Sequence, residues 1–168
     1  MSEWSSYRLR DLLLFSARTY ERLFESYNAA IWPAQILALL LAVGIAILAL
    51  RRRGSARASR AIAAILTAGW VWTGVAFLMQ RYAAINWSAL YFAWAFVAEA
   101  ALLLWLGVVR GSLVFERPAD PPSRLGLGVF VFGLAGMPLL APVLGRGWTG
   151  AQVFLLCPDP TAIGTLGL

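Results

Sequence analysis

Polar and apolar positions divide this chain into four long greasy runs joined by short, arginine-bearing connections. The runs are Ile31–Leu50, Ala61–Gln80, Ala89–Val109 and Leu125–Gly145. Each matches the ~20 residues with which a helix crosses ~30 Å of hydrocarbon. The pattern predicts an all-α, multi-pass transmembrane helical bundle with four full spans. Ahead of them, Leu9, Leu13, Tyr20, Leu23, Phe24, Tyr27 and Ile31 recur at three- and four-residue spacing, with Asp11, Arg18, Glu21, Arg22 and Glu25 between them. That spacing predicts an amphipathic helix over 9–28 at the membrane surface, with Arg18–Glu21 and Arg22–Glu25 as pairs along it. A docking arm for another protein is the other use of such a face. Residues 1–30 then form a surface segment and 31–168 a single bundle.

A fifth apolar segment, 153–168, is interrupted by Pro158 and Pro160, which cannot continue a helix from upstream. Asp159 and Pro160 suit the N-cap and first residue of a new helix. Thr161–Leu168 would then reach only ~12 Å, so this segment is expected to be re-entrant, shallow or covered by a partner. In the fourth run, Gly126, Gly128, Gly133 and Gly136 precede Pro138 and Pro142, and the prolines predict a kink or break. The first run carries Ala34, Ala38, Ala42 and Ala46 at four-residue spacing, and the second carries Gly69 and Thr73. Small residues of this kind let helices approach closely in lipid or seat other membrane subunits.

Composition agrees with the pattern. The 168 residues are 61% apolar, with 14 arginines, no lysine and a net charge of +6; ordinary soluble domains are ~45–50% apolar. The arginines punctuate spans rather than cluster on one soluble face, which argues against nucleic acid. Without histidine and with only Cys157, a structural zinc site, a His-ligated haem or a cysteine-rich cluster is excluded, and no cofactor is expected. Glu3, Asp11, Glu21 and Glu25 interrupt the first 30 residues, so no secretory leader is expected there.

Arginine counts set the orientation. Arg51, Arg52, Arg53, Arg57 and Arg60 in one loop, with Arg110, Arg117 and Arg124 in another, oppose Arg81 and Arg146 on the far side. This places the first two loops in the cytoplasm and the amino terminus outside. Tyr27, Trp32, Tyr82, Trp87, Tyr91 and Trp148 then form an aromatic belt at the outer ends. Trp70, Trp72 and Trp94 lie too deep for a belt and are expected to fill space between helices.

Two polar features carry candidate chemistry. Glu99 sits at the midpoint of the third run, where an ionised carboxylate costs at least ~2.5–3.5 kcal/mol. It is either a proton or cation site, or a neutral acid hydrogen-bonded to a neighbour such as Thr67 or Thr73. Cys157 before Pro158 offers a soft thiolate to a metal, although no second ligand accompanies it in sequence.

Three motifs carry a family resemblance. Tyr27-Asn28-x-x-x-Trp32-Pro33-Ala34-Gln35, Gln80-Arg81-Tyr82-Ala83-x-Ile85-Asn86-Trp87 and Pro158-Asp159-Pro160-Thr161-Ala162 resemble a bacterial family of multi-pass membrane proteins. That family is known only as a domain of unknown function, some members carrying a loose permease label. The resemblance runs from about Tyr7 to Leu168. It implies an inner-membrane location and further apolar sequence after the last motif, and it transfers no catalytic residue.

With the predicted sidedness, Asn28, Trp32, Gln35, Gln80, Arg81, Asn86, Trp87 and Asp159 gather at the outer end. They form either a polar solute site or a structural cluster with Arg81 paired to Asp159. The functional expectation is a small permease- or channel-like protein for a small solute or ion. Its rival is an accessory subunit packed beside a larger membrane complex; a membrane enzyme ranks below both.

Overall fold

The computed structural model describes residues 17–51, 55–115 and 120–168. Residues 1–16, with Leu9, Asp11 and Leu13 of the expected surface helix, lie outside the described residues, as do Arg52, Arg53 and Arg117. Among the described residues the chain is α-helical throughout: α1 (Ala17–Ala30), α2 (Ala34–Arg51), α3 (Ala56–Tyr82), α4 (Ala89–Val109), α5 (Pro121–Val143) and a short α6 (Pro158–Leu166). The helices α3, α4 and α5 are long and apolar enough to cross a membrane. The helix α2 meets α1 at an 88° bend, and the bent pair is a fourth candidate if counted as one span.

Local sequence explains where these helices start. The Ser55 hydroxyl accepts from the Ala58 N–H at 3.4 Å and opens α3. At α5, Asp120 Oδ1 accepts from the Ser123 N–H at 3.2 Å, followed by proline in the first turn. Those hydrogen bonds from Ser123 hold the Asp120 carboxyl below its usual range. The helix α6 departs from expectation: it starts at Pro158 with Cys157 as its cap, and Asp159 lies within the first turn. There the carboxylate faces the positive end of the helix dipole rather than capping it.

The break expected at Pro138 and Pro142 does not occur, because α5 continues to Val143. A widened, π-type turn at Phe132–Gly136 precedes Pro138, and such a turn absorbs the missing amide donor. Similar turns widen α3 over Thr73–Tyr82 and α4 over Leu103–Val109. There the amides reach back five residues, as from Ala83 to Leu78 and from Arg110 to Trp105, both at 2.9 Å.

The helix α3 is the hub of the packing. Of its apolar stretch 44% is buried, against 22% for α4 and 17% for α5. The face that α2 buries runs through Ala38, Ala42, Ile45 and Ala49, so the alanine stripe continues but drifts by one position after Ala42. Small residues set the close approaches. On α3, Gly74 lies against Ala93 and Phe96 of α4, and Gly107 of α4 lies against Ala63 of α3. On α5, Gly133 faces the backbone of Gly164, and Gly126 faces Gly167 just beyond α6. Between apolar helices, small residues of this kind permit the close backbone approach that provides the packing.

A matched pair of substitutions tests this. A Cβ at Gly133 would stand 2.7 Å from the Gly164 nitrogen, with only backbone to yield, whereas one at Gly128 meets nothing within 4 Å. Gly133→Ala is expected to destabilise the protein by ~1–3 kcal/mol, read as a lower melting temperature in detergent. Gly128→Ala should leave it unchanged or raise it slightly. Equal effects at both positions would contradict the assigned contacts.

Candidate functional site

Between the end of α5 and the start of α6 the chain leaves helical geometry and enters the bundle. Gly145 and Gly147, both at positive φ, turn it after α5. A single 3₁₀ turn at Trp148–Gly150 then packs on α1. Residues Phe154, Leu155, Leu156 and Cys157 are buried although none is helical. Buried backbone of this kind needs partners for its amides and carbonyls, and three helices supply them. The Tyr27 hydroxyl of α1 donates to the Leu156 carbonyl at 2.9 Å and itself accepts from Trp72 Nε1 at 2.8 Å. Thr73 of α3 donates to the Leu155 carbonyl at 3.3 Å, and Thr161 Oγ1 of α6 accepts from the Leu155 N–H at 2.9 Å. Leu155 holds a positive φ of 71°. Its side chain fills the notch at Gly69, where an added Cβ would stand 3.0 Å from Leu155 Cβ.

Beside this stretch lies a mouth with polar side chains at its edge. A cavity of about 440 Å³ is bordered by Glu25, Asn28, Trp32, Gln35, Trp148 and Thr149. Asn28 Nδ2 donates to the carbonyls of Thr149 and Ala151 at 2.7 and 2.9 Å, and Gln35 Nε2 donates to the Asn28 carbonyl at 2.8 Å. The amide oxygens of Asn28, Gln35 and Gln152 remain without a hydrogen-bond partner, shielded from solvent. Arg146 closes the same end through an ion pair with Glu21 at 3.1 Å. An apolar groove of about 500 Å³ continues from the mouth, sharing Gln35, Pro138, Trp148 and Val153 with it. It runs between α2 and α5 past Ile36, Leu39, Ala42, Leu134, Ala135 and Leu139.

The expected polar cluster is thus divided. Asn28, Trp32 and Gln35 share the mouth, while Gln80 and Arg81 are exposed at the end of α3 and line none of it. Asn86 is occupied locally, donating to Tyr82 Oη at 3.4 Å and accepting from Ser88 Oγ at 2.6 Å. Trp87 stacks edge-on with Tyr91 at 5.8 Å. Asp159 is exposed, and no ion pair joins it to Arg81. Glu21 pairs across the fold with Arg146 rather than along α1 with Arg18, and Arg22–Glu25 is not an ion pair either.

Glu99 is half-buried on α4 without a hydrogen bond to Thr67 or Thr73, whose hydroxyls donate to the Ala63 and Leu155 carbonyls instead. Trp94 points outward, 64% exposed, whereas Trp70 packs on Phe96 at 4.4 Å and donates to Thr165 at 2.9 Å. Cys157 is fully buried, and no group of three metal-ligating side chains forms among the described residues. Glu25 and Thr149 border the cavity without a sequence signal, and Gln152 beside them has a buried amide oxygen. Glu25 reads as one more charge on a surface helix, and the other two as ordinary loop residues.

The buried thiol reports on the integrity of the tied stretch. Cys157 is expected to resist maleimide in the folded protein and to react once it unfolds. Tyr27→Phe, which leaves the Leu156 carbonyl without its donor, should cost ~1–3 kcal/mol and accelerate labelling. Rapid labelling of the folded wild type would contradict the geometry.

No characterised protein and no solved structure matches the chain. A match does come from a family described as a family of unknown function, and it extends over α1 to α6, from residue 17 to residue 168. The chain belongs to this family, DUF6064.

Proposed function

We propose that this chain is an integral protein of the bacterial inner membrane, crossing it with α2, α3, α4 and α5 and keeping its amino terminus outside. The Ala151–Cys157 stretch and α6 make a discontinuous fifth segment, and α1 rests at the outer interface with Arg18, Arg22 and Glu25 toward headgroups. Support comes from the outward faces of α4 and α5, where Phe92, Trp94, Leu102, Leu104, Leu125 and Val131 are exposed. In water such a surface would forfeit ~25 cal/mol per Å² and exceed any patch a soluble monomer carries. Single cysteines test the sidedness. An impermeant maleimide should label Thr149→Cys in intact cells and Arg57→Cys only after permeabilisation; the reverse pattern would overturn the orientation.

Within that frame the protein takes up an amphipathic solute at its outer end, in the manner of a permease or sensor. The observation that carries this reading is the continuity of a mouth edged by polar side chains with an apolar groove. A small ion passing Gln35 would meet only apolar wall, and Glu99 borders neither cavity. A fluorescent single-chain amphiphile should bind the purified protein saturably, and at least about tenfold more weakly to Ala135→Phe, which fills the groove. Equal, non-saturable uptake by both proteins would remove the reading.

One observation favours an accessory subunit as the second reading. Glu99 lies mid-helix on α4 without a hydrogen-bond or ion-pair partner among the described residues, and a carboxyl at that depth gains from a donor on a neighbouring helix. A stoichiometric companion that co-purifies with the wild type and is lost on Glu99→Ala would favour this reading. Retention of the same companion by Glu99→Ala would count against it.

A further inference from the structure

The chemistry of the mouth narrows the occupant further, on the reading that the groove takes an amphiphile. Among the described residues, Glu25 is the one charged residue bordering the mouth, and no ion pair engages it there. Arg146 is held by Glu21, and Arg18, Arg22 and Arg81, the other described cations at this end, border neither cavity. The amides of Asn28 and Gln35 spend donors on backbone carbonyls. Their unpartnered oxygens lie shielded in the structure and add negative potential. Trp32 and Trp148, 66% and 65% exposed, flank the mouth, and indole faces attract cations. The mouth therefore offers a cation one free carboxylate, Glu25, between two exposed indole faces.

Beyond Gln35 the wall turns apolar, and it opens sideways between two helices whose outer residues are themselves exposed and apolar. A ligand matched to both ends carries an ammonium group in its head and a long apolar chain. It enters from within the lipid layer rather than from water.

We propose that the groove seats an aminophospholipid, with its primary ammonium at Glu25 between Trp32 and Trp148 and one acyl chain along α2 and α5. The test uses the full chain, purified in a mild nonionic detergent and mixed with equal amounts of phosphatidylethanolamine and phosphatidylglycerol carrying the same acyl chains. Bound lipid is then read by native mass spectrometry. One retained lipid per chain is expected, with ethanolamine favoured about fivefold, the upper range for an exposed ion pair.

Glu25→Gln should bring that preference to about one by weakening retention of phosphatidylethanolamine. Leu39→Trp and Ala135→Phe, which narrow the groove from opposite walls at exposed positions, should each remove both lipids. Equal retention of both lipids by the wild type, lost in the two groove variants, would overturn the ammonium assignment and leave the amphiphile reading intact. Lipid retention untouched by either groove variant would overturn both. A dimer mass that added lipid does not displace would place a second copy of the chain in the groove and overturn the proposal.

Discussion

Irregular backbone is the most demanding thing to bury in apolar surroundings, and the stretch before α6 is such backbone. Each unpaired amide or carbonyl in hydrocarbon costs several kcal/mol. The chain meets that demand with side chains from three helices: Tyr27 from α1, Thr73 from α3 and Thr161 from α6. One residue, Leu155, has both its N–H and its carbonyl bonded in this way while its side chain fills the Gly69 notch. A positive φ at a leucine costs ~1–3 kcal/mol; it persists here because hydrogen bonds and packing define the residue from every side. The positions of α1 and α6 follow from that requirement.

The groove follows from the same arrangement. α2 packs on α3, and α5 packs on α6 through Gly133 and Gly126. With α5 drawn to α6, a channel is left between α2 and α5, roofed at one end by Trp148 and floored by Val153 and Phe154. Asn28, one residue after Tyr27 on α1, holds the Thr149 and Ala151 carbonyls at the edge of the mouth, so α1 anchors both the irregular stretch and the mouth beside it.

Much of this was legible in the sequence, and the rest was hidden for physical reasons. The four apolar runs became α2 to α5, because twenty greasy residues in succession leave helix as the one way to pair their backbone. Of the eight residues expected to gather at one end, Asn28, Trp32 and Gln35 border the same cavity, and the hydrogen-bond partners of Asn28 carried no signal in the sequence. Those partners lie some 120 residues away in a loop without periodicity, and pairings across such distances leave no local trace. Charge reading failed where the fold brought distant charges together, as Glu21 took Arg146 in place of Arg18. At Pro138 and Pro142, where a kink or a break was expected, the helix runs on unbroken beyond a widened turn upstream. Thr67 and Thr73 looked like partners for Glu99 by depth alone, but threonine hydroxyls satisfy nearby carbonyls first.

Hydrogen exchange at single-residue resolution in lipid nanodiscs tests the central claim most directly. The Leu155 and Cys157 amides lie in no helix, yet both are buried, and they are bonded to Thr161 Oγ1 and the Val153 carbonyl. They should exchange as slowly as the middle of α3. Exchange as fast as in the Ala83–Ser88 loop would mean the stretch is not tied into the bundle, and the account of both fold and groove would fail.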